Sequence, residues 1–230
     1  MSDKIKIPKY LLILFMLFIV CYLVSALVQH RLVFIGGATF TATAFSYPLA
    51  NLISDIVTEV YGYRVSRQMI WCGIAGWFVM GLFLLVIIHL PIPTFWSNYD
   101  NEFSVVMSPY MRSIIFDSIG IIIGQFVNIY LLSKFKILMR GRFFWLRSVG
   151  STFIGDVITI LIAVVSIYYG TMPLSKIYTI AFYGIALNIV YCAIAATPLM
   201  IIVQILKRLE NMDTYDYGIN YNPFKFSLDS

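Results

Sequence analysis

Charge is scarce in this chain. Of 230 residues, 16 are Lys or Arg and 11 are Asp or Glu, 12% in all, about half the share that a soluble domain carries. Cysteine and histidine are scarcer still. Cys21, Cys72 and Cys192 form no CxxC, which excludes a disulfide-stapled secreted scaffold and a thiolate zinc site. His30 and His89 fall at the ends of different apolar runs, with no acid or metal partner at a useful spacing. No P-loop, HExxH or GxSxG sequence occurs, nor the paired acids of a glycosidase. The chain is therefore not expected to be an enzyme, to bind a metal or to carry a cofactor. Active transport, without a P-loop, has to draw on an ion gradient or on a separate partner. What is abundant is apolar: 60% of the residues are hydrophobic and the mean hydropathy is +0.87. One soluble core at this length has no room for so much Leu, Ile, Val and Phe. The composition reads as an all-α, polytopic membrane protein.

A membrane helix needs about 20 apolar residues. Six runs meet that need: residues 10–28, 32–54 with a polar continuation to 62, 68–90, 112–133, 150–169 and 177–206. Pro91 and Pro93 end the third run, Pro109 precedes the fourth, and Pro198 is expected to kink the long sixth. The expected organisation is a six-helix transmembrane domain over residues 1–210 and a mobile or surface-lying cytoplasmic tail over residues 211–230. With the N-terminus inside, thirteen basic residues are cytoplasmic: Lys4, Lys6, Lys9, Arg64, Arg67, Lys134, Lys136, Arg140, Arg142, Arg147, Lys207, Arg208 and Lys225. Only Arg31, Arg112 and Lys176 lie outside, a bias that sets the orientation. The basic residues at 134–147 sit close between two spans, so they read as attraction to the lipid bilayer, with no direct nucleic-acid contact.

Four acids, Asp55, Glu59, Asp117 and Asp156, fall within or at the ends of these runs. An ionised carboxylate at mid-bilayer costs at least about 2.5–3.5 kcal/mol, so such groups face protein or water. Asp55 and Glu59 are four apart and share a helix face that continues through Asn51, Pro48, Ala44 and Thr41. That small and polar stripe suits a ligand route. The plainer alternative is a packing seam, with Asp55 and Glu59 pairing Arg64 or Arg67 to fix a loop. On the fourth run Asp117, Gly124 and Asn128 cluster, with Gln125 beside them. An amide presents donors and an acceptor, the equipment for reading a heterocycle edge or simply for bonding between helices. Gly120 and Gly124 form a GxxxG pair, the basis for an expected homodimer. Asp156 lies almost two turns into the fifth run, too deep for a cap. The sixth run offers Asn188, Cys192 and Thr197 along a broad face. Trp71, Trp77, Trp96 and Trp145 read mostly as interface-belt residues.

Two stretches carry a resemblance. SDIVTEVYGYR at 54–64 is similar to the D-x-x-T-E-V-Y-G-Y signature of the bacterial queuosine precursor transporter family, formerly grouped as vitamin uptake transporters. GQFVN at 124–128, followed by Ser133, Lys134, Gly141, Arg142, Trp145, Arg147 and GST at 150–152, resembles the same family's fourth helix, basic loop and start of the fifth helix. The resemblance spans about residues 41–208. It implies import of a 7-deazaguanine compound through the bacterial inner membrane, to supply the tRNA nucleoside queuosine. It matches Asp55, Thr58 and Glu59 to the acidic signature, Gln125 and Asn128 to the helix amides, and Arg147, Ser151 and Thr152 to the fifth helix. The chain departs from the family pattern in carrying Asp156 and Thr159 where a glutamine and, three residues on, an aspartate are expected. The chemistry is compatible: a carboxylate can accept the side-by-side N1–H and amine of a guanine-like ring, an amide can answer its carbonyl, and an aromatic ring can stack on it. The expected substrate-binding set is Asn51, Asp55, Glu59, Asp117, Gln125, Asn128 and Asp156. The alternatives are a substrate-binding membrane subunit of an ATP-driven complex and a non-transporting assembly protein.

Overall fold

Two glycines divide the second apolar run. Gly36 (φ 59°) and Gly37 (φ 84°) both adopt positive φ, the requirement of the two-residue turn whose twist suits a hairpin. In the computed structural model they join strand β1 (Leu32–Ile35) to β2 (Ala38–Thr41), antiparallel, with Ile35 opposite Ala38. A 3-10 turn (Ala42–Phe45) follows. Helix α2 begins only at Tyr47 and ends at Tyr61, with Pro48 in its first turn, where a missing N–H costs nothing. Its 15 residues reach about 22 Å, short of the hydrocarbon core of about 30 Å.

The structure describes residues 8–93, 95, 97–108 and 110–225. Lys4, Lys6, Trp96, Pro109 and residues 226–230 lie outside the described residues, as does the side chain of Arg112. The other helices are α1 (Leu11–Val28), α3 (Tyr63–Ile88), α4 (Ser97–Met107), α5 (Tyr110–Leu138), α6 (Phe144–Tyr168) and α7 (Leu174–Glu210). Among the described residues, five helices are long and apolar enough to cross a membrane: α1, α3, α5 from Ser113, α6 and α7. The expectation of six membrane-spanning helices is corrected to five. An uncharged run does not distinguish a helix from a hairpin followed by a short helix. The Gly36–Gly37 pair, flanked by β-branched and aromatic residues, is the signal that the lack of charge obscures. Helix α6 starts six residues before the expected 150, which brings Arg147 and Ser148 onto it. Helix α7 contains Pro198 and runs 37 residues, about 55 Å, well past the hydrocarbon thickness.

Contacts between chain ends orient the bundle. The Tyr10 N–H donates to Glu210 Oε1 at 2.9 Å, so the start of α1 lies beside the end of α7. Gly62, the joint between α2 and α3, adopts φ 88° and lies at the same end, where an added Cβ would come within 2.9 Å of Thr214 and Asp216. This is the basic end, with Lys136 and Arg147. At the opposite end Tyr110 donates its hydroxyl to the Leu27 carbonyl, and Ser113 shares a 3.2 Å hydrogen bond with His30.

Residues 211–225 fold back across the basic end. Asp216 accepts the Tyr63 N–H at 2.9 Å and the Ser133 hydroxyl at 2.6 Å, so it caps the start of α3. Tyr63 donates its hydroxyl to the Tyr221 carbonyl at 2.8 Å, and Trp71 Nε1 donates to the Pro223 carbonyl at 2.7 Å. The segment closes the basic end like a clasp.

Helices α5 and α6 share the most extensive helix pair in the bundle. Their backbones meet at Gly124 and Gly155, and a Cβ on Gly155 would lie 2.6 Å from the Gly124 carbonyl and 2.9 Å from Asn128 Cβ. Gly120 abuts Ile162 and Thr159 on α6. The GxxxG pair behind the expected homodimer is thus used within the chain, through its contact with α6. Gly155→Leu is expected to destabilise the protein by about 1–3 kcal/mol through overpacking, whereas Gly150→Ala, whose added Cβ meets nothing within 4 Å, is expected to be neutral. Thermal melting in detergent checks the pair, and equal melting of both variants would count against the close crossing.

Candidate functional site

Helix α2 is enclosed: apart from Tyr47, Leu49 and Ile53, all its residues are buried. Most of its polar side chains find partners on neighbouring helices, in layers that rise from the basic end, whereas Ser54 Oγ and Tyr61 Oη have none among the described residues. The first layer is ionic. Arg147 grips Glu59 with both terminal nitrogens, Nη1 to Oε2 at 2.8 Å and Nη2 to Oε1 at 3.2 Å. Lys207 Nζ lies 2.7 Å from Glu59 Oε1, and Lys136 Nζ lies 3.7 Å from the same oxygen. Both lysines also reach Asp213 of the clasp, at 2.6 Å from Lys136 and 2.8 Å from Lys207. Glu59 does pair with arginine, but with Arg147 of α6, while Arg67 donates to the Asn222 carbonyl at 3.0 Å. Burial pulls the Asp213 carboxyl upward, yet the two ammonium groups bonded to it hold it below the usual carboxylate range.

One turn up α2, Asp55 is wrapped by neutral donors. Asn128 Nδ2 reaches Oδ1 at 3.0 Å, Thr152 reaches Oδ2 at 3.2 Å, and Ser148 bonds the same oxygen. A further turn up, Asn51 Nδ2 donates to Asp156 Oδ1 at 2.8 Å. Gln125 Nε2 donates both to Asn51 Oδ1 at 2.5 Å and to the Tyr47 hydroxyl at 2.7 Å, leaving Gln125 Oε1 with no partner.

Above this layer lies a cavity of about 70 Å³, room for several waters. Tyr22, Gln29, Tyr47, Trp77, Asp117 and Asn188 are among its walls. Tyr22 and Trp77 stand edge to face, with ring centroids 5.6 Å apart. Among the described residues, four buried atoms on these walls have no hydrogen-bond partner: Tyr22 Oη, Gln29 Nε2, Trp77 Nε1 and Asp117 Oδ2. Gln29 lies beside the Asp117 carboxyl without closing a hydrogen bond to it, and Asp117 Oδ1 receives only the Ser166 hydroxyl at 3.3 Å. Buried polar atoms are nearly always satisfied, so their convergence on one chamber marks a place for a bound molecule.

All seven residues expected from the sequence belong to this file of polar groups, but only Asp117 lines the chamber. Asn51, Gln125 and Asp156 form the layer behind it, and Asp55 and Asn128 the next. Glu59 is filled by its cations. Tyr22, Gln29, Tyr47 and Trp77 are additions from the structure. Tyrosine and tryptophan within apolar runs look like ordinary membrane residues until their polar atoms prove unanswered.

Glu59→Gln leaves Arg147 buried with no full counter-charge and is expected to lower the stability of the ligand-free protein by about 3–5 kcal/mol. Adding Arg147→Met should restore part of the loss, which thermal melting in detergent reads directly; a single variant that melts with the wild type would remove the structural role. The depressed Asp213 carboxyl sets the sign of a pH effect. Its contribution is present above the unfolded carboxylate value of about 4 and is lost as pH falls through the lower folded value. Proteolysis of residues 211–225 is expected to quicken only below about pH 4 in the wild type, and already at neutral pH in Asp213→Asn.

No curated protein and no solved structure matches the chain. A family model described as "Putative vitamin uptake transporter" matches residues 41–203, from the end of the hairpin through α2, α3, α5 and α6 and into α7. With well over half of its length matched, the chain belongs to this transporter family.

Proposed function

We propose that the chain imports a 7-deazaguanine precursor of queuosine across the bacterial inner membrane, with its basic end in the cytoplasm. The observation that carries the proposal is the chamber and its unanswered atoms. A deazaguanine ring is planar, with two N–H donors side by side on one edge and a carbonyl next to them. Asp117 can accept from that edge in a charge-assisted pair, worth more than a neutral hydrogen bond. Trp77 Nε1 and Gln29 Nε2 can donate to the carbonyl, and the rings of Tyr22 and Tyr47 offer faces for stacking. Glu59, with both oxygens held by Arg147 and Lys207, is assigned to holding the helices together. The orientation follows from the basic residues gathered at one end, and the exposed apolar faces of α1, α3 and α7 provide the contact with lipid.

The test is salvage in cells unable to make the precursor themselves: deleting the chain should abolish queuosine in tRNA, and restoring it should recover the modification. Unchanged queuosine content would sink the proposal. On purified protein, Asp117→Asn is expected to weaken 7-deazaguanine binding by about 1.5–3 kcal/mol, and Trp77→Phe, which keeps a ring but removes the donor, by about 1 kcal/mol. Calorimetry reads both, and wild-type affinity in both variants would move recognition out of this chamber. If uptake needed a co-purifying ATPase, the chain would be a subunit of a larger importer.

A further inference from the structure

Below the chamber and its Asp117, the acids of the polar file fall into two kinds. Glu59 and Asp213 are matched by Arg147, Lys207 and Lys136. Asp55 and Asp156 are matched by no cation among the described residues. Asp55 is wholly buried and Asp156 is 3% exposed. The titratable groups facing Asp156 are Asp55 and Tyr47 from α2 and Cys192 from α7. Those facing Asp55 are Glu59, Asp156 and Cys192. Helix α5 presents only the amides Gln125 and Asn128, and α6 adds the hydroxyls of Ser148 and Thr152. Two ionised carboxylates enclosed this way cost several kcal/mol, and one proton between them removes most of that cost.

A second observation concerns the layer above the pair. Gln125 is 2% exposed, and its Oε1 has no hydrogen-bond partner among the described residues. That layer also ties the acids to the chamber. Tyr47 lines the chamber and is held by Gln125, Gln125 holds Asn51, and Asn51 holds Asp156. A base seated against Tyr47 acts on Asp156 through three hydrogen bonds.

We infer that the Asp55–Asp156 pair carries one proton per transport cycle and makes the chain a proton-coupled importer. The inference rests on the substrate assignment proposed above. The proton comes from water on the chamber side, binds a carboxylate oxygen of the pair, and is released to water at the basic end; no bond to the base forms or breaks. At that end three cations, Lys136, Arg147 and Lys207, face two anions, Glu59 and Asp213, and the surplus positive charge favours release outward rather than retention. Each neutral base then enters with one positive charge. Asn51 and Gln125 are positioning residues in this scheme.

The experiment uses the full chain. First, 7-deazaguanine binding is measured by calorimetry in buffers of different ionisation enthalpy, which reports protons taken up per base bound. At an alkaline pH, where the empty pair has lost its proton, the wild type is expected to take up close to one proton per base bound, and Asp156→Asn to bind the base within about tenfold while taking up none. Second, proteoliposomes are loaded with base for exchange, and separately given an alkaline interior for accumulation. Asp156→Asn should exchange but not accumulate, and a protonophore should bring wild-type accumulation down to the same level. Asn51→Ala should weaken accumulation more than exchange. Binding without proton uptake at every pH, alkaline included, or accumulation by Asp156→Asn that matches the wild type, overturns the coupling while leaving the substrate assignment intact. Failure of the wild type to bind the base overturns the substrate assignment and the coupling with it.

Discussion

The buried ion pair of Glu59 and Arg147 is the contact on which the rest of the architecture depends. Moving either ion out of water costs several kcal/mol, and attraction offsets that only when the geometry is good and every remaining donor is used. Here four of the five guanidinium N–H groups are used: two nitrogens hold Glu59, while Nε and Nη2 also donate to the Arg142 and Gly141 carbonyls at 3.0 and 3.3 Å. Lys207 adds α7 and Lys136 adds α5, and both reach the clasp through Asp213. One carboxylate thus draws together α2, three further helices and the returning C-terminal segment. It also sets the depth of α2, because the pair cannot slide toward the bilayer centre without losing those partners.

From that anchor the chamber follows. With its end held at the basic face, a helix of 15 residues stops about 22 Å away, inside a hydrocarbon core of about 30 Å. Backbone ending at that depth has to be satisfied within the protein. The 3-10 turn and the hairpin meet the requirement by pairing their own N–H and C=O groups, and β2 packs on α7. This irregular segment cannot fill space as a helix does. Thr41, Thr43 and Ala44 from it, with Tyr47 at the start of α2, become chamber wall. The short helix that breaks the simple span pattern is the reason for an opening at its tip.

How much of this was legible depended on what kind of information each residue carried. Helical spacing placed Asn51, Asp55 and Glu59 on one face, and the structure keeps all three turned toward α5, α6 and α7. Spacing gives a direction around an axis but not the neighbour at the far end of it. Arg147 was in view through the family resemblance, yet it was not matched to Glu59 because α6 was expected to begin only at residue 150; starting at Phe144 turns that arginine inward. The chamber was less accessible still. Whether Tyr22 or Trp77 has an unanswered polar atom depends on what packs around it, and no periodicity encodes that. Residues 211–225 lack any period, and their order comes from carbonyls and carboxylates meeting Tyr63, Arg67, Trp71 and Lys136, all distant in sequence.

Charge is ordered along the file, and the order constrains what can travel through it. Among the described residues, the ion pairs of the file lie at the basic end. Acids without cations occupy the middle. The chamber holds a single carboxyl, Asp117, among neutral donors and aromatic rings. Under the proposed assignment, one carboxyl can answer the two N–H groups of a guanine-like edge or a cationic arm on the ring, but not both at full strength. Trp77 Nε1 and Gln29 Nε2 are donors, so besides Asp117 an ammonium arm has the hydroxyl oxygens and ring faces of Tyr22 and Tyr47 to turn to. Asn188 has a carbonyl oxygen to offer, but Cys192 already lies 3.8 Å from it, in place to donate its weak S–H. Under that assignment a neutral substituent leaves Asp117 free for the guanine-like edge, whereas an ammonium arm competes for it. The charge that a neutral cargo lacks is left for the acids below it to carry.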